Sequence, residues 1–345
     1  MRSILAIFAV VTSFHFAYSV IPPVHWTIYK NCDNPNRRDA IETAINTAKD
    51  RSAKAAAALR ATPMDSRVEA VSKMLLGEDD WQNKVNTVVE LYERLADLVG
   101  PAGKRSEGDF TNTPEWSGFA QSDTHWRNFV VMCGPDFSFG DKNDETFRPD
   151  GVFDNVRFEG IRKTAGIYEM YQDVNAARSN PAKTYEVFAE TRAEESKGVD
   201  GAPSGVWRRR FPETIVLHPL FLSDIEAHNY KLLTDQRLAK AADPTAWRVF
   251  KSWFKTRLTS RQNRGTPVDS LFGLDGTLHH EIFHLSVFGN LLDQPDHDHA
   301  YGWSAQVANK RSDNPENLAF LAMCIWMVVE KGATVDAKGR VKMSS

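Results

Sequence analysis

Cysteine is scarce in this chain, with only Cys32, Cys133 and Cys324 among 345 residues. Three are too few for a disulfide scaffold or a four-cysteine zinc module. Charge of one sign is also missing. Lys and Arg number 42 against 45 Asp and Glu, and the net charge of −3 argues against a nucleic-acid partner. The run Arg208-Arg209-Arg210 stands alone and reads as a solvated turn or a local salt-bridge cluster. Beyond the N-terminus no apolar run reaches membrane-spanning length, so no membrane partner is expected. Leu318–Val329 is apolar but belongs to a buried C-terminal helix. There is no N-x-S/T sequon, no internal repeat and no low-complexity block.

What is there begins with a leader. Met1-Arg2-Ser3, an apolar run from Ile4 to Phe16 and the ending Ala17-Tyr18-Ser19 read as a secretory signal peptide over 1–19, cleaved after Ser19. The expected product is secreted and extracellular, as one domain over 20–345 with a loop-rich insertion at about 136–210. No long propeptide is expected. In an oxidising compartment an odd cysteine count implies one pair and one leftover thiol.

The most informative stretch is His280-Glu281-Ile282-Phe283-His284. It reads H-E-x-x-H inside a helical context, where residues four apart share a face. His280 and His284 can then aim at one point, as the first two ligands of a Zn²⁺ ion must. Glu281 can reach a water at that point and take its proton. His279 faces about 100° away from His280 around the helix and reads as a supporting or surface residue. An ordinary amphipathic helix with surface histidines would carry the same letters, so the third ligand matters.

A catalytic zinc keeps three protein ligands and one open position. The pattern H-E-x-x-H-x-x-G-x-x-H fails, because Val287 and Asn290 stand where Gly and His would be. A later helical glutamate, Glu316 or Glu330, is one source. The loop Asp293-Gln294-Pro295-Asp296-His297-Asp298-His299 is nearer and crowded with ligand types.

Asp298-His299-Ala300-Tyr301-Gly302 matches D-x-x-Y-G, the second half of the signature G-T-x-D-x-x-Y-G. In this the chain resembles the aspzincins, the deuterolysins and related peptidyl-lysine metalloendopeptidases secreted mainly by fungi. The resemblance implies Asp298 as the third ligand of one zinc ion, beside His280 and His284. It implies Tyr301 as a hydrogen-bond donor to substrate or to the developing oxyanion. Asn314-Pro315-Glu316-Asn317-Leu318 is similar to the family's N-A-D-S-Y-like segment. The chain departs from the family in Pro295-Asp296 for G-T, Glu316 for Asp and Leu318 for Tyr. The strongest match covers about 278–322, with a weaker one over Cys32 to Cys133, and it implies the pair Cys32–Cys133. Cys324, in an apolar stretch, reads as a buried free thiol. Lysine selectivity in the family needs an acidic group in the pocket for the residue after the scissile bond, for which Asp293 and Asp296 are candidates.

Periodicity supplies the rest. The Ala-rich 39–60, then 66–76 and 79–99, read as helices, with Val85, Val88, Val89, Leu91 and Leu95 at helical spacing. Helical stretches are expected near 158–178 and 183–196, at 219–240 and 245–260, over 273–288 for the histidine helix, and at 301–312 and 316–331. Phe129–Met132 and Thr214–Leu217 read as strands. In zincins a strand beside the active-site helix pairs with extended peptide, and Thr214–Leu217 is the preferred candidate. The expected fold is α+β, predominantly helical, zincin-like, with a small sheet beside that helix.

The leading expectation is a secreted zinc endopeptidase acting on protein or peptide substrates. Glu281 and Tyr301 are its catalytic residues. His280, His284 and Asp298 hold the metal. The alternatives are a secreted zinc-scavenging protein, for which His297 and His299 would suit metal capture, or a silent interaction protein on the same scaffold.

Overall fold

A computed structural model of the protein describes residues 23–29, 32, 34–102, 127–134, 189–192, 213–243, 265–295 and 301–343. The leader 1–19, the helices expected at 158–178 and 245–260, and Asp296, His297, Asp298 and His299 lie outside the described residues.

The described chain is mixed α/β and mostly helical, with eight α-helices and two small sheets. Three helices open it: α1 (Pro35–Arg60), α2 (Ser66–Leu76) and α3 (Trp81–Ala96). α1 begins on an Asn34 side chain that accepts from the Asn36 and Arg37 amides, with Pro35 at its first position. That is the expected start for a long helix. Its buried face is rich in alanine (Ala44, Ala48, Ala55, Ala56). Such small side chains let three other helices approach it, and α1 packs on α3 and on the two helices that carry the candidate site.

The larger sheet runs β1 (Trp26–Ile28), β2 (Phe129–Met132), β4 (Glu213–Leu217), β3 (Ala189–Arg192) in spatial order. β1, β2 and β4 are parallel and β3 is antiparallel to β4. β2 and β4 are buried throughout, β2 as a continuous apolar run and β4 with Glu213 and Thr214 buried beside Ile215, Val216 and Leu217. Cys32 and Cys133 form a disulfide across 101 residues, tying the segment after β1 to the end of β2. Cys324 is free and buried, and burial pushes its thiol well above the usual range.

Helices α4 (Pro219–Glu226) and α5 (Asp235–Ala242) follow β4. The single helix expected over 219–240 is broken between them, where Asn229, Tyr230 and Lys231 adopt left-handed φ values. Then come α6 (Leu274–Phe283), α7 (Trp303–Asn309) and α8 (Pro315–Lys331). A hairpin of β5 (Ala333–Val335) and β6 (Val341–Met343) closes the described chain. No helix among the described residues is long and apolar enough to cross a membrane.

Three sequence expectations are corrected. Residues 189–192, expected to be helical within 183–196, form β3. Ala, Glu and Arg favour helix intrinsically, but pairing with β4 overrides that preference. β4 has β2 on one side and β3 on the other, so Thr214–Leu217 offers no strand edge to a peptide. β3 is the terminal strand among the described residues. Finally, the histidine helix stops at Phe283 rather than at 288. Glu213 of β4 accepts from the Ser286 amide at 2.8 Å and from its hydroxyl at 3.0 Å. That carboxylate withdraws the donor that one more helical turn would need.

Candidate metal centre

α6 is buried on all sides; every residue from Leu274 to Phe283 lies inside the protein. It starts at Gly273, where a β-carbon would lie 2.0 Å from the Lys231 carbonyl oxygen, so only glycine fits. Two buried polar contacts fix it to α1. Asp275 pairs with Arg51 at 2.5 Å, both nearly inaccessible to solvent. His279 Nε2 lies 2.9 Å from the Ser52 hydroxyl. His279 is therefore a fully buried interhelical residue and not a surface one. Burial first, then repulsion from Arg51 and His280, holds its pKa down at about 3, so the ring is neutral.

The other face of α6 presents the chemistry. His280 Nε2 and His284 Nε2 are 3.0 Å apart. The remaining ring nitrogens settle the tautomers. His284 Nδ1 is 2.6 Å from the Leu291 carbonyl and His280 Nδ1 is 3.1 Å from Glu316 Oε2. Both of those partners accept, so each Nδ1 carries a hydrogen and the two Nε2 atoms face one another. At that separation they can share a proton or a metal ion. Burial lowers the pKa of His280, but Asp293, Glu316 and Glu281 outweigh it and raise the ring to about 9. The surroundings thus favour positive charge at this point.

Asp293 completes the convergence. Its Oδ1 lies 3.4 Å from His280 Nε2 and its Oδ2 3.7 Å from His284 Nε2. The turn after α6 brings it there. Gly289 and Asn290 both take positive φ, reversing the chain so that the Leu291 amide meets the Phe283 carbonyl at 3.3 Å. Asp293, which the family resemblance offers as a candidate acid of the substrate pocket, faces both imidazoles. Asp298, the ligand implied by the resemblance, lies outside the described residues.

Tyr301 donates to Asp293 Oδ2 at 2.6 Å, and its ring stacks on that of His280 at 5.8 Å between centroids. Burial, then the Asp293 charge, drives its phenol far above the usual range, so it stays a donor. Tyr301 thus meets a carboxylate of the centre among the described residues. Glu316, considered above as a direct ligand, meets the Nδ1 edge of His280, away from the convergence point. Its other oxygen accepts from the Gly302 amide at 3.1 Å. It orients the ring, as carboxylates commonly do behind metal-bound histidines.

Glu281 lies beside the two histidines, and the three side chains offer ligand atoms within 4.8 Å of one another. Its Oε1 is 3.9 Å from His280 Nε2, while Oε2 accepts from the Thr191 hydroxyl of β3 at 2.7 Å. Sequence reasoning missed Thr191, and nothing in the letters around it marks it out. It also missed the ring-orienting role of Glu316, although a carboxylate in the first turn of the following helix is a legible hint. The donor set could hold a metal ion that accepts nitrogen and oxygen ligands.

Searches of protein-family models, curated proteins and solved structures find no match to this chain.

Proposed function

We propose that the protein is a metal-dependent hydrolase. More particularly, we read it as a secreted zinc endopeptidase of the aspzincin type, with a zincin-like arrangement of helix and sheet. The observation that carries the reading is the meeting of two imidazole Nε2 atoms and the Asp293 carboxylate, with a second carboxylate, Glu281, alongside. Secretion is supported by the leader-like N-terminus and by the Cys32–Cys133 disulfide.

His280, His284 and Asp293 would hold the zinc, which when bound supplies Lewis acidity toward water and a peptide carbonyl. Glu281 Oε1 takes the proton of the attacking water and hands it to the departing amide nitrogen. Glu316 and the Leu291 carbonyl keep both rings in the tautomer that leaves Nε2 free to bind. Tyr301 fixes Asp293. Among the described residues β3 is a terminal strand of the sheet and packs against α6, and its outer edge suits an extended peptide.

The test is Glu281→Gln. It should abolish casein cleavage while the purified variant still carries one zinc. The parent should lose cleavage in EDTA and regain it with Zn²⁺. A Glu281→Gln protein that cleaves like the parent would overturn this mechanism. Zinc binding by a parent that cleaves nothing would favour metal capture.

A further inference from the structure

We infer that Thr191 on β3 is the residue that positions Glu281, fixing which carboxylate oxygen faces the reaction. The inference deepens the peptidase reading and rests on it. The two oxygens of Glu281 stand in different surroundings. Oε2 accepts from the Thr191 hydroxyl at 2.7 Å. Oε1 is left toward the convergence point, 3.9 Å from His280 Nε2. Glu281 is buried, so solvent does not compete strongly for the bound oxygen.

The same hydroxyl has a second acceptor within reach, the Glu281 carbonyl at 2.8 Å. A hydroxyl carries one proton, and the ionised carboxylate is the stronger acceptor of the two. The carbonyl is also shared, accepting from the His284 amide at 3.1 Å. While Glu281 is ionised, the Thr191 proton therefore points at Oε2. A threonine suits this role, because its branched β-carbon in a strand leaves few side-chain rotamers.

The experiment compares Thr191→Val, which keeps the shape and loses the hydroxyl, with Thr191→Ser, which keeps the hydroxyl. Two readouts are taken: peptide-cleavage kinetics, and crystal structures of the zinc-loaded parent and variants. Thr191→Val should lower kcat about 10- to 100-fold, part of the range a general base supplies. KM should stay within about twofold, because no substrate contact is lost. One zinc per chain should remain. In its crystal structure the Glu281 carboxylate should leave the position that turns Oε1 toward His280. Thr191→Ser should recover most of kcat and restore the parental carboxylate position. A Val variant with parental kcat, or with Glu281 unmoved, overturns the inference, and so does a Ser variant as slow as Val. If the parent itself cleaves no peptide, the peptidase reading falls, and the carboxylate position in the paired structures decides the role of Thr191 alone. If Thr191→Val does not fold, Thr191→Ala takes its place with the same two readouts.

Discussion

Glu316 binds the back of His280: Oε2 meets Nδ1 at 3.1 Å, while Oε1 takes the Gly302 amide at 3.1 Å. One carboxylate at the start of α8 thus locks a ring on α6 to Gly302, the residue just before α7. Replacing Glu316 by Gln removes the charge behind the imidazole but preserves its size. Zinc affinity should fall about 10- to 100-fold, the usual cost of losing such a partner. Competition against a fluorescent chelator measures this directly. An unchanged affinity would show that His280 needs no help from Glu316.

Asp293 and Asp298 make opposing predictions. If Asp293 is the third ligand, Asp293→Asn should weaken zinc by more than about 100-fold, beyond the effect of an outer partner. Asp298→Asn should then leave the metal content near one. Metal analysis of the two purified variants decides between them. The reverse outcome would restore the ligand that the D-x-x-Y-G resemblance implies.

Arg51 and Asp275 form a buried ion pair between α1 and α6 at 2.5 Å. Arg51 Nε and Asp275 Oδ1 have no hydrogen-bond partner among the described residues, so the charges are only partly compensated. Arg51→Met alone strands the aspartate and should cost about 3–5 kcal/mol. Arg51→Met combined with Asp275→Leu should recover most of that loss, since apolar replacement of a whole buried pair is often neutral or stabilising. Urea unfolding of the single and double variants provides the check. A double variant as unstable as the single would mean that the pair contributes more than its burial costs.

His279 sets a pH dependence with a definite sign. Its folded pKa of about 3 lies below the ordinary histidine value, chiefly through burial. Between those values the unfolded chain binds the extra proton, so stability is complete above the ordinary value and is lost as pH falls toward about 3. The slope is about 1.4 kcal/mol per pH unit for a full proton. Between pH 7 and pH 5, metal-free parent protein should lose more stability than His279→Leu. Parallel losses in urea titrations at the two pH values would rule this out.

Much of the fold could be read in the letters. α2 has the bounds expected from its pattern, and β2 and α8 were marked by apolar runs. β3 was hidden because Ala-Glu-Thr-Arg carries no strand signal and owes its form to β4. The β5–β6 hairpin was legible and missed; Asp336-Ala337-Lys338-Gly339 is turn sequence between two short apolar runs. The Cys32–Cys133 pair agrees with what the family resemblance implied.

The sequence by itself determined that His280, Glu281 and the capping His284 share one helical turn, because a spacing of four is fixed by helical geometry and needs no tertiary information. Only the tertiary structure decided what faces them. Asp293 arrives through a left-handed turn, Glu316 from the next long helix and Thr191 from a strand 90 residues upstream of Glu281. Those meetings depend on how buried elements pack, and packing is settled by the whole core, so no local run of residues records it.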